Sequence, residues 1–104
     1  MAATPKVLAR VAAATSNTTL YTVPNTTTTT IISNVVINNS STSSSTVTLN
    51  IDSIPVMSSV SVGANTTTFV DLKQVIPASG TPKIVSGSAS TTAVYFHISG
   101  VELV

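Results

Sequence analysis

Apolar and polar positions alternate along much of this chain with a period of two. The pattern is cleanest over residues 46–52, where Val47, Leu49 and Ile51 fall on one side and Thr46, Thr48, Asn50 and Asp52 on the other. Successive side chains of a strand point to opposite faces of a sheet, so this run reads as a half-buried strand. Residues 31–37 carry Ile31, Ile32, Val35, Val36 and Ile37, apolar on both faces. That fits a central strand or one lying against a second layer. Between the two runs, residues 38–45 are Asn, Ser and Thr. The stretch is too long for a two-residue turn and is expected as the exposed loop of a β-hairpin that joins the runs. Both runs are expected in the core, at about 1.5 to 3 kcal/mol for each fully buried side chain.

The rest of the chain continues in short strands. Residues 18–23 end at Pro24-Asn25, and five threonines at 26–30 favour extended backbone through their β-branching. Residues 54–57 can continue along an edge, and Val60 and Val62 share a side before the turn signal Gly63-Ala64-Asn65. Thr68, Val70 and Leu72 then oppose Phe69 and Asp71. Residues 74–82 contain Pro77, Gly80 and Pro82 and read as a loop that Val75-Ile76 can anchor in the core. A short strand at 83–86 and a turn at 87–90 precede the last strand, 92–104, in which Val94, Phe96 and Ile98 alternate with Tyr95, His97 and Ser99. Thirteen residues would span about 43 Å, so a break or bend is expected at Gly100. Residues 1–17 place Val7, Ala9, Val11 and Ala13 on one side and are expected as an extended arm or edge strand. The sum is an all-β chain: an antiparallel β-sandwich, jelly-roll or Ig-like, of about seven to eight strands over residues 18–104, preceded by the N-terminal arm at 1–17.

Composition narrows the function. The 104 residues suit one domain. Only Lys6, Arg10, Asp52, Asp71, Lys73, Lys83 and Glu102 are charged, 7% of the chain against about a quarter in ordinary domains. Ser and Thr fill 35 positions, so hydroxyls and amides must supply solubility. A net charge of +1 argues against nucleic acid, whose capture needs clustered Lys and Arg. So little charge resists association poorly, which hints at a surface covered by partners. There is no cysteine. No apolar run approaches the ~18 to 20 residues of a membrane-spanning helix, and the start is too charge-interrupted for a signal peptide. Synthesis in the cytoplasm is expected, with no membrane partner.

Candidate chemistry is sparse. His97, the one histidine, lies mid-strand, and a lone strand histidine is a weak sign of a catalytic base. Asp52, Asp71 and Glu102 are far apart in sequence, too few and too dispersed to announce a calcium site or a glycosidase pair. Gly63, Gly80, Gly87 and Gly100 do not cluster into a phosphate-cradling loop. Tyr21 and Tyr95 suit core or interface positions with the hydroxyl at an edge. No catalytic, cofactor-binding or metal-binding residue is assigned, and the chain is expected not to be an enzyme.

Three segments carry a resemblance. The first is Lys6-Val7-Leu8 with Thr18-Thr19-Leu20-Tyr21-Thr22-Val23-Pro24. The second is Ile31-Ile32-Ser33-Asn34-Val35-Val36-Ile37-Asn38-Asn39-Ser40-Ser41, and the third Val94-Tyr95-Phe96-His97-Ile98-Ser99-Gly100-Val101-Glu102-Leu103. In this order they resemble small all-β virion proteins of tailed bacteriophages, the capsid decoration or cement proteins and related tail modules. The resemblance implies a structural role on the capsid surface, a homotrimer, and the major capsid protein as partner. A phage tail or fibre module that attaches to host-surface glycans is the alternative it implies.

Overall fold

The computed structural model describes residues 3–104, and Met1 and Ala2 of the expected arm lie outside them. The described residues form nine strands and no helix: β1 (Ala3–Ala12), β2 (Thr18–Thr22), β3 (Thr29–Asn39), β4 (Ser45–Ile51), β5 (Ile54–Val62), β6 (Thr66–Val70), β7 (Gln74–Ile76), β8 (Ile84–Ala89) and β9 (Val94–Leu103). They make two antiparallel sheets. One has the order β1-β9-β3-β6, with β7 also on β3; the other is β2-β8-β4-β5. The strands β6 and β7 pair with successive stretches of β3, Val35 to Asn39 and Thr30 to Ile32. They share one column, so nine strands fill eight columns.

That order has a simple origin. The pairs β1·β9, β2·β8, β3·β6/β7 and β4·β5 are all antiparallel, as if one long hairpin had been bent back and forth between two layers. This is the jelly roll, of the two sandwich types expected. Its tip is the two-residue turn Asp52-Ser53, where Ile51 faces Ile54. Both turn residues have positive φ, 55° and 62°, as the mirror-image type I′ hairpin turn requires.

The expected hairpin of residues 31–37 with 46–52 does not form. The strand β3 lies in one sheet and β4 in the other. Period-two alternation says that a strand has a buried face. It does not say which sheet holds the strand, and two strands facing one core from opposite layers alternate just as two neighbours do. The connection is an arch over residues 40–44, shorter than expected, because Asn38 and Asn39 complete β3 and Ser45 opens β4. Asn39 is fully buried. Its Nδ2 donates to the carbonyl oxygens of Ser43, Val62 and Gly63, and its Oδ1 accepts from the Ser41 N–H.

The core lies between the sheets. Ile32, Val35, Ile37, Phe96 and Ile98 from one layer meet Val47, Leu49, Val62 and Val85 from the other, all essentially without exposure. Ile31 and Val36, expected inside, point outward and are half-buried. A bulge at Ser33 in β3 changes the inward set from Thr30 and Ile32 to Val35, Ile37 and Asn39. The last strand runs unbroken through Gly100, so the expected bend is absent. Its neighbours bulge instead, β1 between Val7 and Ala9 and β3 between Ile32 and Asn34. At Gly100 the chains come so close that a Cβ would be driven into the Ile31 carbonyl oxygen.

Residues 3–12 are an edge strand, paired with β9 from Ala3 opposite Leu103 to Ala12 opposite Tyr95. Of the two forms expected for the N-terminus this is the edge strand, and the described part extends no free arm. Leu8, Ala9 and Ala13 are buried in the core, which explains why this stretch packs down.

Candidate functional site

Two features hold the polar groups and the exposed apolar surface, one inside the sandwich and one outside it. The inner feature joins the layers. Tyr21 on β2 crosses from its own sheet and donates its hydroxyl to Glu102 Oε2 on β9 at 2.5 Å. The same hydroxyl lies 2.8 Å from Thr30 Oγ1 on β3. Thr30 and Glu102 are register partners. Lys6 on β1 completes the set, with Nζ 3.3 Å from Glu102 Oε1. Burial, and then the Glu102 carboxylate to which it donates, push the Tyr21 hydroxyl from its usual 10.0 up to about 12. A phenol held neutral across the physiological range, bound to a carboxylate and a threonine, is a tie between sheets and not a nucleophile. Tyr21 and Glu102 stand 81 positions apart, and no local pattern in the chain joins them.

The outer feature is the solvent side of the β1-β9-β3-β6/β7 sheet. Across it run rows of register partners. One is Arg10, His97, Val36 and Phe69; the next is Ala12, Tyr95, Asn38 and Thr67; a third is Pro5, Val101, Ile31 and Val75. Phe69 is 74% exposed and Val75 60%, with Val7 and Tyr95 also well exposed. Arg10 is the one fixed charge in these rows. The outer side of the second sheet is different. There the register partners are Thr46 with Ser61, Thr48 with Ser88, and Thr19 and Asn50 with Ser86. Its exposed apolar side chains lie on β5: Val60 along the strand, and Ile54 and Val56 near the β4–β5 tip, where they join Ile51, Asp52, Pro55, Gln74 and Val75 around a groove of about 420 Å³.

His97 lies half-buried on the outer face in a shallow groove of about 400 Å³, lined also by Asn34, Val36, Asn38, Thr67 and Ser99. That lining contains no carboxylate to hold the imidazole as a base. The three acidic residues go elsewhere: Glu102 to the inner cluster, Asp52 to Lys83 at 3.2 Å, and Asp71 to an exposed position after β6. No group of three or more His, Cys, Asp or Glu comes together among the described residues. The tyrosines divide, Tyr21 into the core and Tyr95 onto the outer face. The apolar outer face was only partly readable beforehand: Phe69 and Tyr95 stood opposite the buried set of their strands, but nothing local placed those strands in one sheet. Comparison with protein-family models, curated proteins and solved structures finds no match to this chain.

Proposed function

We propose that this chain is a structural virion protein of a tailed bacteriophage: a decoration protein that binds the outer capsid surface as a homotrimer and bridges neighbouring major capsid subunits. The observation that carries this reading is the jelly-roll strand order, β1-β9-β3-β6 over β2-β8-β4-β5, an arrangement common to viral capsid and lectin domains. A fold supplies a class and not an activity. The segments that resemble phage virion proteins add the narrower assignment, and they fall on β1, β2, β3 and β9. A protein that binds the assembled shell and not its dissociated subunits stabilises the shell by mass action. Many copies acting together need only modest contacts each, which a hydroxyl-rich, weakly charged domain can make. The test adds purified protein to capsids that lack it, followed by electron microscopy and by heating the particles. Bound copies at symmetry axes and a higher rupture temperature are expected. Absence of capsid binding, with the chain found only on tails, overturns the reading.

A second reading is favoured by one observation. The groove lined by Asn34, Asn38, Thr67, His97 and Ser99 offers hydrogen-bonding groups beside the exposed rings of Phe69 and Tyr95. Amides and hydroxyls beside aromatic faces suit a sugar, so a glycan-binding tail module is the alternative. Its test is a glycan array: binding lost on Phe69→Ala supports it, and no binding removes it.

A further inference from the structure

We infer that copies of this chain assemble through the outer face of the β1-β9-β3-β6/β7 sheet, with a second copy of the chain as the occupant. The inference rests only on the self-association in the function proposed above and goes beyond it, because one face meeting its own copy makes a two-fold pair. Both outer faces belong to one small molecule, so they can be compared directly. The β2-β8-β4-β5 face presents Thr, Ser and Asn across its rows, with Ile54, Val56 and Val60 exposed along its edge strand β5. The other presents Phe69, Tyr95, Val7 and Val75 in the open, with Ile31 and Val36 half-covered between them. Aromatic enrichment and charge depletion mark the centre of a protein interface.

Area and charge point to the occupant. Four strand columns about 4.8 Å apart and ten residues long at about 3.3 Å each make a face of about 600 Å². Two such faces bury about 1,200 Å², above the ~1,000 Å² that a specific interface needs. A foreign partner is usually selected by complementary charge, but across these rows Arg10 is the one fixed charge, and the exposed Asp71 and Lys73 between β6 and β7 have opposite signs. Exposed apolar side chains such as Phe69 and Val75 are their own complement, and a chain of net charge +1 barely repels its copy.

Light scattering on the purified chain from about 1 to 100 µM, a range that brackets micromolar association, should give a mass twice 10.6 kDa, because one face meeting its own copy makes a two-fold pair. Phe69 and Val75 are exposed, so the double variant Phe69→Lys with Val75→Lys should keep its far-ultraviolet dichroism and fall to 10.6 kDa. Thr19→Lys with Ser61→Lys, on the opposite sheet, should leave the assembly intact. A wild-type chain at the single-copy mass throughout overturns the inference. So does a Phe69/Val75 variant that keeps the assembled mass, or a control that dissociates equally. A single-copy chain that still coats capsids refutes this face and leaves the proposed function standing. An assembled chain that ignores capsids does the reverse.

Discussion

At the scale of single residues, the buried polar groups decide most. Tyr21 carries the hydroxyl that ties Glu102 on one sheet to the strand β2 on the other. Tyr21→Phe keeps the ring and removes the bond to a charged acceptor, with an expected loss of about 1.5 to 3 kcal/mol in urea unfolding. The tie also gives a pH signature. The folded state holds the Tyr21 proton up to about 12 while the unfolded chain releases it near 10.0. The stabilisation is therefore complete below pH 10 and is lost as the pH rises towards 12. The wild type should lose stability across that window more steeply than Tyr21→Phe, as urea unfolding at a series of pH values would show. Asn39→Ala leaves the carbonyls of Val62 and Gly63 and the Ser41 N–H without their side-chain partner. A cost of about 1 to 3 kcal/mol is expected by the same measurement.

At the scale of elements, facing and spacing separate neighbours in the chain. Ile37 is wholly buried, whereas Val36 beside it points outward. Ile37→Ala should cost about 2 to 5 kcal/mol, and Val36→Ala well under that, as a pair of denaturant titrations would show. Gly100→Ala should be worse than its size suggests, because the backbone of β3 blocks the new methyl group. A melting temperature lower by several degrees, equivalent to about 1 to 3 kcal/mol or more, is expected from such overpacking. The β4–β5 turn offers the opposite change. Ser53 adopts φ 62°, which suits glycine better, so Ser53→Gly should raise stability by about 0.5 to 1 kcal/mol while Asp52 keeps its pairing with Lys83. The strands themselves were readable in the chain, since Val47, Leu49 and Ile51, or Val94, Phe96 and Ile98, alternate without interruption. Their partners were not. Asp52-Ser53 lacks the glycine that advertises a tight turn, so the one true hairpin there passed unmarked. The Asn, Ser and Thr run at 38–45 looked like a hairpin loop, although its middle, 40–44, is an arch between layers.

At the scale of the whole molecule, nearly every pairing joins distant parts of the chain. The outermost pair brings Ala3 to Leu103, and the nested pairs close in turn towards Asp52-Ser53. Such topologies fold slowly, because loops must close before their contacts form. Stopped-flow refolding is expected in the millisecond to second range. This is also why the inner cluster escaped a linear reading: Lys6, Tyr21, Thr30 and Glu102 meet only when the ribbon is fully wound. The class of the fold depends on local alternation and was legible. The sites depend on which strands become neighbours, and those neighbours lie at the far ends of the chain.

The closing pair of strands has a mechanical consequence. The ends of β1 and β9 lie side by side and antiparallel, so a pull on both ends of the domain acts across the ladder and not along it. Hydrogen bonds loaded this way open one after another, as a zipper does, and do not bear the strain together. Held by its two ends, the domain should peel apart at low force. A load spread over a sheet face would meet the whole sandwich at once, so the domain should bear force better through its faces than through its termini.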